Sequence, residues 1–226
     1  MALILNLETA TTNCSVSVSE NARTLLLKEN RAVEYSHSEQ LHVFIKEVLQ
    51  QAELTFSDLD AVAVSMGPGS YTGLRIGVSA AKGLCFSLEI PLLSIPTLQS
   101  MAMQVEVGAG EILIPVLDAR RMEVYSAVYD DQYQQIRETK AEIIGPNSFE
   151  AFAGAKKVHI IGNGASKCKE ELKHSNFVFD ADLIPSANEM GAIASKKYQK
   201  EQFEDLAYFE PFYLKDFVLH GKKTNP

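Results

Sequence analysis

Residues 65–77, SMGPGSYTGLRIG, place four glycines and a proline between an apolar run and a helical pattern. Such a junction can hold a phosphate: the first N–H groups of a helix lack intrahelical partners, and the helix dipole is positive at that end. Glycine lets the backbone approach an anion closely. Gly67 and Gly69 supply that approach, Ser70 and Thr72 add hydroxyls and Arg75 adds charge, which makes these five the candidate anion or nucleotide contacts. The familiar nucleotide motifs do not fit. A P-loop needs lysine before its Ser/Thr, and the GxGxxG fingerprint has one residue fewer between its second and third glycines.

Catalytic equipment is sparse. None of the five histidines (His37, His42, His159, His174, His220) lies four residues from another, so no helical pair shares a face for metal ligation. Neither HExxH nor GxSxG occurs. Cys14, Cys85 and Cys168 are odd in number and lack CxxC spacing, which argues against a disulfide or zinc framework and for a reducing, cytoplasmic setting. We therefore expect no catalytic residue, no metal site and no cofactor required by the chain itself.

The elements that must position these residues alternate in kind. LILNLE, CSVSVSE and RTLLLKEN read as an antiparallel meander of strands. Leu41, Phe44, Ile45, Val48, Leu49 and Ala52 recur on one helical face, with Ser36 and Glu39 as a capping box at its start. LDAVAVSM reads as a strand covered on both faces, residues 71–88 as a second helix, PLLSIP as a strand and TLQSMAMQV as a shorter helix. From Glu111 the pattern restarts: EILIPVLDAR and MEVYSAVYD as paired strands, AEIIG as a strand, NSFEAFAG as a short helix, KVHII as a strand entering the turn GNGA, and ANEMGAIASKKYQK as a helix. The duplicated order predicts two related α/β subdomains, 1–105 and 106–226, joined near EVGAG, with the C-terminal segment free to pack back on the first. A net charge of −8 argues against a broad basic footprint for nucleic acid, while leaving room for a local basic patch. The apolar start is too short for a signal peptide or membrane span.

Gly73, Gly77 and Ala81, with Ala80 beside them, form a small-residue stripe along the second helix. Small residues at this spacing permit close approach, either to the chain's own sheet or to another subunit.

GPGSYTGLRIG, LNLETATTNCSVSV, HSEQL, DARRMEVY and, more loosely, FEPFYLKD together resemble the TsaB (YeaZ) family. The resemblance implies an ASKHA (actin/Hsp70/sugar-kinase-like, ribonuclease H-like) α/β fold of two subdomains, the second reduced. It implies a non-catalytic partner of TsaD, the transferase that makes N6-threonylcarbamoyladenosine (t6A) at the adenosine 3′ of the anticodon in ANN-reading tRNAs. It further implies TsaE as a partner, with ATP or ADP at the level of the complex and tRNA met through the complex; an apolar face of this size is expected to pair with itself as a homodimer when the chain is alone.

On this reading the partner-binding candidates are Leu41, Phe44, Ile45, Gly73, Leu74, Ile76, Gly77, Ala80 and Ala81. Helical geometry prevents all of them from facing one way. Arg120 and Arg121, beside Asp118, are candidate tRNA or partner contacts, the alternative being a solvated turn. Glu8 stands where related kinases place an aspartate, and with Thr9, Thr11 and Thr12 it forms either a phosphate turn or a capped hairpin turn. GNGA is either an adenosine-loop remnant or a plain turn. PSANEMGAIA, similar to the TsaD segment that carries a metal-binding aspartate, holds Asn188 and Glu189 instead. A small-molecule kinase or ATPase of the same fold is the alternative function, and a peptidase a more distant one.

Overall fold

The computed structural model describes residues 2–31 and 37–215. The first half contains β1 (Leu3–Glu8), β2 (Asn13–Glu20), β3 (Arg23–Arg31), α1 (His37–Gln51), β4 (Ala61–Gly67), α2 (Tyr71–Leu88), β5 (Leu92–Pro96) and α3 (Thr97–Ala102). The second contains β6 (Glu111–Asp118), β7 (Glu123–Tyr129), β8 (Gln135–Ile143), β9 (Lys157–Ile161), α4 (Ala165–Glu171), β10 (Phe177–Asp180) and α5 (Met190–Gln199).

The strands form two five-stranded sheets of the same order, β3-β2-β1-β4-β5 and β8-β7-β6-β9-β10. In each sheet the first three strands are antiparallel and the last two run parallel to the first. This is the ASKHA architecture. The second copy is reduced at its crossovers: the 18-residue α2 has the 7-residue α4 as counterpart. In the position of α1 there is only a single 3-10 turn over Glu150–Phe152.

Each sheet is covered on both faces. Leu5, Leu7, Val16, Val18 and Val64 meet α1 and α2, while Ile4, Ala63, Leu93 and Ile95 meet α5. Val116, Val124 and Ile160 lie under α4, and the opposite face takes Leu98 and Met101 of α3. The helix after the fifth strand of each sheet thus packs on the other sheet. The alternating serines of β2 are covered by the approach to α5: Ser17 Oγ donates to the Ala187 carbonyl at 2.8 Å, and Ala187 N–H donates to Ser15 Oγ at 3.0 Å. This satisfies a polar strand face that burial alone would penalise.

Differences from expectation are local. Helix α4 and strand β10 are additional to the expected elements, because each is too short to show a period. β8 begins six residues before AEIIG, and Ala52 follows the end of α1. Ser36, proposed as the cap of α1, lies outside the described residues.

The β1–β2 turn is held against the start of α2. Ser70 N–H donates to the Ala10 carbonyl at 2.7 Å, and Thr9 N–H donates to Ser65 Oγ at 3.3 Å. A Cβ at Gly73 would lie 2.2 Å from the Thr9 carbonyl oxygen, and one at Gly77 would lie 2.3 Å from Thr9 Oγ1. These glycines therefore serve an internal contact. Gly83, farther along the same helix, is exposed, and a Cβ there meets nothing within 4 Å among the described residues.

Glu8 is wholly buried at this junction, its Oε1 accepting the Ala10 N–H at 2.6 Å. It forms the capped hairpin turn of the two alternatives above. Burial raises its pKa from an ordinary 4.5 to about 7, against the lowering effect of its hydrogen bonds.

Two outcomes are expected. Gly83→Ala stabilises the free chain by about 1 kcal/mol, the helix-propensity difference. Gly77→Ala loses that gain to the clash and destabilises by about 1–3 kcal/mol in denaturant unfolding, an order typical of overpacking. For Glu8, the folded state holds its proton more tightly than the unfolded state, so its contribution is full below pH 4.5 and is lost as pH rises toward 7. Relative to Glu8→Gln, the wild-type chain should therefore lose roughly 3 kcal/mol across that window. Thermal melts of both proteins through the window check this, and parallel Tm–pH curves overturn it.

Candidate functional site

Two surfaces share the wall formed by α2. The first is a cleft of about 970 Å³ between the two halves, where the β1–β2 turn and the start of α2 face the β6–β7 turn. The N-terminal donors of α2 are partly engaged: besides the Ser70–Ala10 bond, Ser70 Oγ accepts the Gly73 N–H at 3.2 Å. On the facing wall, Asp118 Oδ1 accepts the Arg120 N–H at 2.6 Å and the Lys167 ammonium at 2.6 Å. Glu123 is ion-paired with Lys215 from the C-terminal segment. Asn163 of GNGA accepts the Asp118 N–H at 2.8 Å, and Gly162 packs against Val116, where a Cβ would lie 2.3 Å from the carbonyl oxygen. GNGA thus acts as a turn that fixes the end of β6.

The second surface is a groove of about 730 Å³ between α1 and α2, lined by Ser38 and His42 of α1 and by Arg75, Ile76, Ser79, Gly83 and Leu84 of α2. Phe86 continues this outward face of α2 and is 79% exposed. The exposed stripe of Thr72, Ser79, Gly83 and Phe86, with half-buried Ile76, is flat at its centre because Ser79 and Gly83 are small.

The candidates read from the sequence divide between these surfaces and the core. Leu41, Ile45, Leu74 and Ala81 are core side chains with 2% or less of their surface exposed, and Ala80 is buried at the floor of the groove. Gly73 and Gly77 face Thr9. The partner-binding expectation is corrected at Leu41, Ile45, Gly73, Leu74, Gly77 and Ala81, because a group with no free surface on the groove has nothing to offer a docked helix. Ile76 lines both surfaces, and Phe44 is half-buried against the core.

Gly69, Ser70 and Thr72 line the cleft, while Gly67 backs onto the Phe212 carbonyl. Arg75 points away from them, into the groove: its Nε donates to Tyr213 Oη at 3.2 Å, and its guanidinium lies 4.1 Å from the Tyr71 ring centroid. It therefore stands apart from the anion-binding set. Arg120 and Arg121 are exposed at the tip of the β6–β7 turn, on the rim of the cleft. Reading the sequence by core periodicity missed Ser79, Gly83 and Phe86, the residues on the opposite side of α2 from the apolar stripe. A glycine five residues before the helix end, Gly83, was the available signal.

Among the described residues, His37 and the three cysteines are structural groups. His37 is buried, donates through Nε2 to the Thr11 carbonyl at 2.7 Å, and has its pKa lowered by burial, so it is a neutral structural group. His42 lines the groove instead. Burial raises the pKa of all three cysteines, which holds them as unreactive thiols. Asn188 and Glu189 lie at the start of α5, where the Asn188 carbonyl accepts Thr24 Oγ1 at 3.0 Å, away from the cleft. Among the described residues no group of three or more His, Cys, Asp or Glu is arranged to hold a metal, and no helix is long and apolar enough to cross a membrane.

Comparison with known proteins places this geometry. Residues 31–224 match the family model described as TsaD, tRNA N6-adenosine threonylcarbamoyltransferase. The tRNA threonylcarbamoyladenosine biosynthesis protein TsaB of Escherichia coli is 30% identical, with 97% of each chain covered, and that of Haemophilus influenzae is 27% identical, with 97% of this chain and 96% of its own covered. Two Pseudomonas aeruginosa structures, an uncharacterised protein described as similar to peptidase YeaZ and YeaZ itself, superpose with TM-scores of 0.82 and 0.78 at 26% and 25% identity, covering 95% of this chain and 100% of theirs. With near-complete coverage in sequence and structure, and with the duplicated sheets and α1–α2 face described above, the chain belongs to the TsaB family of tRNA threonylcarbamoyladenosine biosynthesis proteins.

Proposed function

We propose that this chain is a non-catalytic subunit of the t6A-forming complex, which seats TsaD on the outward face of α1 and α2 and so enables it to modify the adenosine 3′ of the anticodon in ANN-reading tRNAs, with TsaE as a further partner. The observation that carries the reading is the exposed stripe of α2, where Gly83 keeps a helix-destabilising residue that no contact among the described residues requires. A flat, partly apolar groove flanked by exposed Phe86 suits a partner helix packed at close range. The match to the TsaD family model supports a pair of related folds meeting through related faces. In the partner's absence, the same face pairs with its own copy, forming a homodimer.

The chain needs no cofactor of its own, and ATP or ADP belongs to the assembled complex. A magnesium-bound nucleotide does not suit the cleft walls: Asp118 and Glu123 are already ion-paired, and Glu8 is buried beneath the turn. These engaged carboxylates also count against an independent kinase or ATPase. The engaged histidine and unreactive thiols count against a peptidase.

Reconstitution tests the reading. TsaD, TsaE, tRNA and threonylcarbamoyl-adenylate should form t6A with this chain and little or none without it, and equal yields overturn the proposal. Gly83→Arg and Phe86→Asp should leave the circular dichroism spectrum intact while abolishing co-elution with TsaD on size exclusion. Gly77 is unsuited to that test, since its substitution disturbs the internal contact with Thr9. If both groove variants still co-elute with TsaD, the partner sits elsewhere.

A further inference from the structure

The tip of the β6–β7 hairpin carries charge that the fold does not use. Arg120 and Arg121 are exposed on the cleft rim and form no ion pair with any described residue. The nearby carboxylates are already committed: Asp118 to Lys167 and Glu123 to Lys215. Four cationic groups thus stand against two anionic ones, a local excess of two positive charges on a chain whose net charge is −8.

The backbone adds to the contrast. Arg120 and Arg121 have φ of +70° and +52°, left-handed conformations that Asn and Gly enter more readily than arginine. Aromatic surface lines the same cleft, from Tyr125 and Phe212, beside Tyr71 and Tyr213, which pack on each other and on Arg75. Basic forks interleaved with aromatic rings suit unpaired nucleotides, whose phosphates take the guanidinium groups and whose bases stack on the rings. A metal-bound triphosphate requires free carboxylates for its cation, and the cleft wall has none to spare.

We propose that Arg120 and Arg121 bind the phosphodiester backbone of unpaired tRNA nucleotides directly, so that this chain contributes to holding the RNA beside its partner transferase. The proposal rests on the membership in a t6A complex inferred above. It requires the arginines to act through charge at an exposed tip, with the hairpin as their support.

The test is a fluorescence-anisotropy titration of tRNA with the chain and TsaD together, over a salt series from about 50 to 200 mM. Arg120→Glu with Arg121→Glu should weaken binding at least about tenfold and reduce the slope of log affinity against log salt by about two, one per lost phosphate contact. Arg120→Asn with Arg121→Gly suits the turn geometry better than the native pair. It should therefore raise Tm while still weakening RNA binding, an outcome that a purely structural role for the arginines does not produce. Lys156→Glu with Lys200→Glu makes the same charge change at exposed sites away from the cleft and should leave affinity unchanged.

Unchanged affinity and salt slope in both arginine variants overturn the proposal. Size exclusion of the same mixtures separates the two readings: failure of the wild-type chain to co-elute with TsaD overturns the complex, whereas co-elution with unaltered RNA binding overturns only the arginine site. Calorimetric binding of Mg-ATP to the chain alone, lost in the arginine variants, reassigns the tip to a nucleotide and likewise overturns it.

Discussion

The contact between the β1–β2 turn and the start of α2 is the constraint on which the rest of the structure depends. β1 is the central strand of the first sheet, and the turn after it must be closed before β2 can pair along its length. Closure comes from the Ala10 carbonyl accepting the Ser70 N–H and from Thr9 lying against a helix that lacks Cβ atoms at Gly73 and Gly77. Any larger residue at those two positions pushes α2 off the sheet, and with it the buried contacts of Leu74, Val78 and Ala81. The same contact sets where the cleft wall and the outward groove lie, because α2 forms part of both. A motif that looks built for a phosphate is in large part occupied by the protein's own backbone.

Duplication explains the remainder of the architecture and its economy. Two sheets of equal order would each need a helix on both faces, yet the second half keeps only α4 between its parallel strands. The exchange of α3 and α5 supplies the missing covers: each terminal helix protects the apolar face of the opposite sheet. This ties the halves together through buried surface, which limits how far the cleft can open. The polar seam of Ser15, Ser17 and Asn13 against residues 185–187 adds direction to that tie, since buried hydrogen bonds hold only in one register.

The sequence made much of this legible, and unevenly. Long elements with a clear period, such as α1 and β4, were readable because burial on one face or both leaves a pattern in the apolar residues. Helix α4 and strand β10, of seven and four residues, are shorter than the window in which a period can be counted. The site was harder. Glycines required by an internal contact and a glycine on the outward surface look alike in a one-dimensional string, and only the distance from Gly77 to Thr9, against the open space around Gly83, separates them. The apolar stripe of α2 pointed to the face that matters for folding, whereas the proposed docking face lies on its far side, written in small and polar residues that carry little hydrophobic signal. Arg75 shows the same limit: its neighbours in sequence are the loop residues, but its neighbours in space are Tyr71 and Tyr213.

The placement of the two surfaces follows from helix geometry. Thr72 and Ile76 border both the cleft and the groove, so a partner seated on the outward stripe of α2 comes within about one helix diameter of the cleft rim. The C-terminal segment reinforces this proximity, running from Phe212 N–H on the Met66 carbonyl through Tyr213 at Arg75 to Lys215 at Glu123 on the facing wall. One strand of chain therefore touches the groove, the mouth of the cleft and the β6–β7 hairpin in succession. On the proposed reading, the charge-bearing tip at the end of that path meets a polyanion held between two subunits. In a protein with an excess of eight negative charges, an arginine doublet with no ion pair among the described residues concentrates attraction for phosphate on the cleft rim, while the remaining acidic surface repels the same polyanion elsewhere. On the function proposed above, orientation of the RNA toward the partner follows from this charge distribution.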